Sequence, residues 1–150
     1  MPAPIPIPDE LSKPFWDAAD RKQLVAQRCR NCGRYQHPPQ KTCASCASRR
    51  MEWAPLSGRG VIYSYSVMHD SRVRLLQAQQ PFTILTVQAE ESPDLWFLST
   101  LPGVQLGKID VGDPVAVDFE EVAPGRYIPQ FKPIGHKSPT TSSAAAQGTR

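Results

Sequence analysis

A mainly β protein is predicted from three features of the 150-residue sequence: its cysteine spacing, its proline content and the period-two patterns of its second half. All four cysteines fall in one segment, as C-x2-C-x10-C-x2-C at Cys29, Cys32, Cys43 and Cys46. Sixteen prolines interrupt the chain repeatedly, which suits short strands better than long helices. From Ser57 onward, apolar residues alternate with polar ones in runs bounded by Gly and Pro. The predicted order is a short N-terminal helix, a rubredoxin-like four-cysteine zinc ribbon, and a five-stranded OB-fold barrel.

Residues 1–22 form an arm and helix. Proline alternates with small or apolar residues over the first eight positions, an extended pattern. A helix then starts at Ser12 or Lys13, with Pro14 in the first turn where its missing N–H is harmless. Phe15, Trp16 and Ala19 share one helical face, which is read as a surface for a partner protein, with packing on the ribbon as the alternative.

Residues 23–54 form the ribbon. Two thiolate pairs ten residues apart can close a tetrahedral site around one ion, with Zn–S distances of about 2.3 Å. Gly33, after the first pair, suits a turn needing positive φ, and Pro38-Pro39 stiffen the return. Strands are expected at Leu24–Arg28, Arg34–His37 and Arg50–Trp53. Disulfides are the competing use of four cysteines. The N-terminal residues lack the basic start and apolar run of a signal peptide, so a reducing cytoplasm and a structural zinc are expected. Iron fits the same sulfur cage. Four protein thiolates leave no open position for catalysis by the metal.

Residues 55–134 form the barrel. Val61, Tyr63, Tyr65 and Val67 alternate with Ile62, Ser64, Ser66 and Met68, and Val61 and its partners are read as the inward set. Phe82–Ala89, Leu95–Leu101, Val115–Glu120 and Ile128–Lys132 supply the other four strands. Five strands suit a closed OB barrel better than a sandwich, which needs about seven. Residues 135–150 carry no core-forming pattern and are expected to be a disordered tail. No run approaches the ~18 apolar residues of a membrane span.

Charge divides the chain. Arg21 to Arg50 holds eight Lys or Arg and no acid, whereas Gly60 to Ile134 holds five basic residues against nine acidic ones. A basic ribbon beside an OB barrel also suits a single-stranded nucleic-acid binder, with Tyr63, Tyr65, Trp96 and Phe97 as stacking candidates. The acidic barrel argues against that reading. The three histidines, His37, His69 and His136, are scattered, and no cysteine remains free once a metal takes four, so independent catalysis is not expected.

The whole order resembles the zinc-ribbon/OB-fold family associated with acyl-CoA metabolism, long catalogued as a domain of unknown function. The stretches that carry the resemblance are Phe15-Trp16-Asp17-Ala18-Ala19, Cys29-Arg30-Asn31-Cys32-Gly33, His37-Pro38-Pro39, Cys43-Ala44-Ser45-Cys46, Pro55 to Ser64, Pro81-Phe82-Thr83-Ile84 and Val111 to Glu120. The resemblance implies a noncatalytic subunit of a thiolase-fold enzyme, whether thiolase, acyltransferase or steroid side-chain retro-aldolase, that helps seat acyl-CoA. CoA phosphates need cations and N–H donors. Arg59, flanked by Gly58 and Gly60, and Arg72 and Arg74 are the candidates, although each also suits a solvated loop.

Overall fold

The computed structural model describes residues 4–135. The expected tail, 135–150, lies outside them apart from Gly135. Helix α1 spans Lys13–Asp20 with Pro14 in its first turn. Its entry is locked by Asp9 and Ser12: the Ser12 amide donates to Asp9 Oδ1 (2.6 Å), and the Asp9 amide donates to Ser12 Oγ (3.1 Å). The first amide of the helix, that of Lys13, donates to the Asp9 carbonyl (2.9 Å), so it too finds an acceptor.

The ribbon is a three-stranded antiparallel sheet of order β2-β1-β3, from β1 (Val25–Cys29), β2 (Tyr35–Gln36) and β3 (Met51–Pro55). The second sheet comprises β4 (Arg59–Met68), β5 (Phe82–Ala89), β6 (Trp96–Pro102), β7 (Pro114–Ala123) and β8 (Arg126–Pro133), in the order β6-β5-β4-β7-β8. A short helix, α2 (Arg74–Gln77), lies in the β4–β5 connection and was not predicted.

The expected closed barrel is corrected: the five strands form an OB-like sheet with two edges, β6 and β8. Side chains, not a backbone ladder, join those edges. Gln130 Oε1 accepts from the Thr100 amide (2.9 Å), and Gln130 Nε2 donates to Thr100 Oγ1 (3.1 Å). Ser99 Oγ accepts from the Phe131 amide (2.7 Å). Pro129 and Pro133 in β8 and Pro102 in β6 lack the N–H groups a ladder needs, so these strands suit edges.

A second correction concerns β4. The register jumps between Ile62, opposite Val87, and Ser64, opposite Thr86, which leaves Tyr63 as a bulge. A bulge inserts one residue and changes which side chains face inward. Ile62 is fully buried before it, and Tyr65 packs on the core after it. Val61 and Tyr63 therefore point outward, where strict alternation had put them with Tyr65 and Val67.

One hydrophobic core runs through the whole described unit. Ile62, Leu85, Val87, Phe97, Val115 and Phe131 of the sheet join Phe15 of α1 and Leu24 and Ala26 at the base of the ribbon. Asp20 ties α1 to the far hairpin, accepting the Tyr127 amide (3.0 Å) and facing Arg126 at 3.5 Å. The helix face proposed for a partner is thus spent internally. Phe15 is 5% exposed and Ala19 1%, and only Trp16 keeps appreciable surface.

Candidate metal centre

The two Cys-x2-Cys knuckles repeat one backbone design. In the first, the Cys29 amide donates to the Arg34 carbonyl (2.9 Å) and the Gly33 amide to the Cys29 carbonyl (2.8 Å); in the second, Cys43 donates to Ser48 (2.8 Å) and Ala47 to Cys43 (2.9 Å). Gly33 (φ 75°) and Ala47 (φ 56°) occupy equivalent left-handed positions. Glycine takes this conformation freely, whereas alanine pays a steric cost there.

This duplication brings all four sulfurs within 4.8 Å of one another. Cys29 Sγ lies 3.6 Å from Cys46 Sγ, and Cys32 Sγ 3.6 Å from Cys43 Sγ. A tetrahedron with 2.3 Å bonds has edges of about 3.8 Å, so one zinc fits between them. The amides of Asn31 and Ser45 donate to Cys29 Sγ and Cys43 Sγ, each at 3.4 Å, and Asn31 Nδ2 reaches Cys46 Sγ at 3.7 Å. These donors favour thiolates, the form a metal binds. The Cys32 amide foremost holds the Cys29 thiol down at about 6, and the Cys46 and Ser45 amides lower Cys43. At Cys32 the Arg34 amide acts in the same direction. Desolvation and the thiols of Cys43, Cys46 and Cys29 override it and raise the group to about 11. Four sulfurs this close cannot all ionise without a cation among them.

The knuckles are fastened to the rest of the ribbon by two buried glutamines. Gln36 Nε2 donates to Gln27 Oε1 (3.0 Å) and to the Thr42 carbonyl (3.1 Å), while Gln36 Oε1 accepts the Ala44 amide (3.0 Å). Gln27 Oε1 also takes the Gln40 amide (2.8 Å). The next residue, His37, is no metal ligand. Its ring lies 5.1 Å from that of Phe15 and 4.5 Å from that of Phe97, wedged between helix and sheet. Burial pushes its pKa down to about 4, and its Nδ1 is buried with no hydrogen-bond partner. In the sequence His37 is only one of three scattered histidines. No local pattern signals the aromatic pair around it.

The residues predicted to contact CoA do not form one cluster. Arg59 is exposed at the start of β4, beside an open cleft of about 420 Å³ lined by Val61, Gln88, Glu90, Pro93 and Ile134. Arg72 and Arg74 are exposed beyond the other end of β4, whose ten residues span up to about 30 Å. Gly58 and Gly60 serve close packing. A Cβ on Gly58 (φ 77°) would meet Val117 Cγ1 at 2.4 Å, and one on Gly60 would meet the Gln88 carbonyl oxygen at 2.4 Å. Gly60 sits between Ala89 of β5 and Val115 of β7, so neither edge of its backbone faces solvent.

A four-thiolate ribbon joined through one core to an OB-like sheet defines a zinc-ribbon/OB-fold protein. This chain belongs to the ChsH2 family: residues 16–52 match its rubredoxin-like zinc ribbon domain and residues 53–120 its C-terminal OB-fold domain. A chain of the solved Ltp2-ChsH2(DUF35) aldolase is 30% identical and aligns with a TM-score of 0.73, over 85% of this chain and 98% of that one. The probable enoyl-CoA hydratase alpha subunit of Thermomonospora curvata is 33% identical over 120 residues, which is 79% of this chain and 36% of that protein. A DUF35 domain-containing scaffold protein of Methanocaldococcus jannaschii is 34% identical over 73 residues, 48% of this chain and 51% of that one. The chain therefore spans about half or less of the length of these curated relatives. Among the described residues, no helix is long and apolar enough to cross a membrane.

Proposed function

We propose that this chain is a noncatalytic accessory subunit that docks on a thiolase-fold enzyme and helps seat its acyl-CoA substrate. The observation that carries this reading is the match to nearly the whole of a chain from a two-component aldolase, Ltp2-ChsH2(DUF35). The scaffold name of the methanogen relative supports a noncatalytic role. The outer face of β4–β6 adds support. Tyr63 (52% exposed), Trp96 (44%) and Leu98 (73%) stand there among uncharged neighbours, an apolar surface of the kind that partners cover. Arg59, at the lip of the cleft, is the candidate for a CoA phosphate. The four-thiolate zinc holds the ribbon in shape and takes no part in chemistry, because its ligand set is complete.

The test is reconstitution with a thiolase-fold enzyme from the organism that makes this chain. The pair is expected to co-elute and to turn over acyl-CoA, with activity falling when either component is omitted. Full turnover by the enzyme alone would refute the role.

One observation favours a second reading, single-stranded nucleic-acid binding. Tyr63 and Trp96 are not core residues; their rings stack on each other at 5.3 Å on the outer face. Exposed aromatics on OB strands are stacking platforms. A gel shift with oligonucleotides that weakens with salt would favour this reading over the first.

A further inference from the structure

We propose that the buried pair Gln27–Gln36 couples metal occupancy of the four-thiolate site to the joint between ribbon and OB-like sheet, so that loss of the ion frees His37 from between Phe15 and Phe97. This goes beyond the accessory-subunit reading and holds whichever partner the chain has.

Cys43 is flanked by the two knuckle groups that Gln36 holds, the Thr42 carbonyl and the Ala44 amide. The Gln36 side chain is therefore satisfied only while the second knuckle keeps its shape. Gln36 is 9% exposed and Gln27 4%, so neither can turn to water if those partners leave. A buried amide that loses its partners destabilises the arrangement that buries it. Without a shared ion, only a weak thiol contact at 3.6 Å ties Cys43 to Cys32, and the knuckle is free to relax.

The strain passes directly to the joint. Gln36 ends β2, and His37 follows it; Gln40, immediately after Pro38-Pro39, donates its amide to Gln27. The glutamine pair thus holds both ends of the segment that carries the imidazole. His37 is a poor anchor on its own account, since its buried Nδ1 has no partner and gains one on reaching water. Phe97 beyond it contacts Phe131 (5.8 Å), and Phe15 contacts Trp16 (4.9 Å). Release of the wedge therefore uncovers the rings of Phe15 and Phe97, while Leu85 and Val87 keep their packing within the sheet. The device makes the docked form of the protein depend on its metal.

The test follows the His37 imidazole by NMR titration in full-length protein, with zinc bound and after chelation. Methyl signals of Leu85 and Val87 report the sheet core. The expected result in wild-type protein is that chelation raises the His37 midpoint from about 4 toward an ordinary histidine value while the core methyls stay native. In Gln36→Leu, with one zinc per chain verified by metal analysis, the midpoint is expected to be the same before and after chelation. Gln27→Met serves the same purpose if Gln36→Leu does not fold. A His37 midpoint unmoved by chelation in wild type would overturn the proposal. So would a zinc-dependent shift preserved in the glutamine variants, or collapse of the core methyls together with His37.

Discussion

Replacing His37 by phenylalanine removes a titrating group from a dry aromatic slot, and the structure sets the size of the effect. Burial holds the folded imidazole near pKa 4, against 6.5 for the group in water. The neutral ring is the form the fold tolerates, so the unfolded chain binds the proton more readily. Stability from this residue is therefore complete above pH 6.5. It declines as pH falls through the interval between the two values and levels off below about 4. Linkage over that interval gives a loss of about 2 kcal/mol between pH 7.5 and pH 5.0. The assay is urea unfolding of zinc-loaded wild type and His37→Phe at several pH values in that range. Thiolate protonation affects both proteins alike, so the difference between them isolates the imidazole. At pH 7.5 the variant also loses the orphaned Nδ1, an unsatisfied atom that costs about 1–3 kcal/mol when buried. Parallel stability–pH curves for the two proteins would refute the reasoning, because they would mean that His37 titrates alike in both states.

Ala47→Gly is expected to raise stability by about 0.5–1 kcal/mol, since relief of a left-handed alanine outweighs the added freedom of the unfolded chain; Gly33→Ala should lower it by about 1 kcal/mol in the same thermal or urea assay. Cys43→Ser should abolish stoichiometric zinc in metal analysis, because one of four thiolates is lost from a closed set. Gly60→Ala should cost about 1–3 kcal/mol, as its Cβ would fall 2.4 Å from the Gln88 carbonyl oxygen, a backbone atom that cannot swing away. Arg59→Glu is expected to weaken CoA-ester binding by the assembled complex at least tenfold, read by calorimetry, with little change for the matching pantetheine ester, which lacks the nucleotide phosphates.

Where an element depends on local chemistry, sequence reading located it closely. Pro14 behind Ser12 marks the start of α1, the cysteine spacing marks both knuckles, and Pro81 with the alternation that follows marks β5 at Phe82–Ala89. The misreadings share one cause. The Tyr63 bulge shifts the phase of β4 through a register set by its neighbour β5, and nothing in Val61-Ile62-Tyr63-Ser64 announces it. The apolar face of α1 was visible, but whether β8 and the ribbon or another protein covers it depends on chain packing far from residue 15. The sheet edges at β6 and β8 meet through Gln130 and Ser99, thirty-one residues apart, a pairing no periodicity can encode.

By itself, then, the sequence determined the metal site, because four sulfurs two and ten residues apart need only short-range backbone geometry to converge. It also determined which segments are extended, since period-two patterning and proline act locally. Tertiary structure alone decided which aromatic residues are core and which are surface, where His37 lies, and that Arg59 stands apart from Arg72 and Arg74. Those outcomes depend on register and on contacts between distant segments, where one inserted residue turns an inward side chain outward.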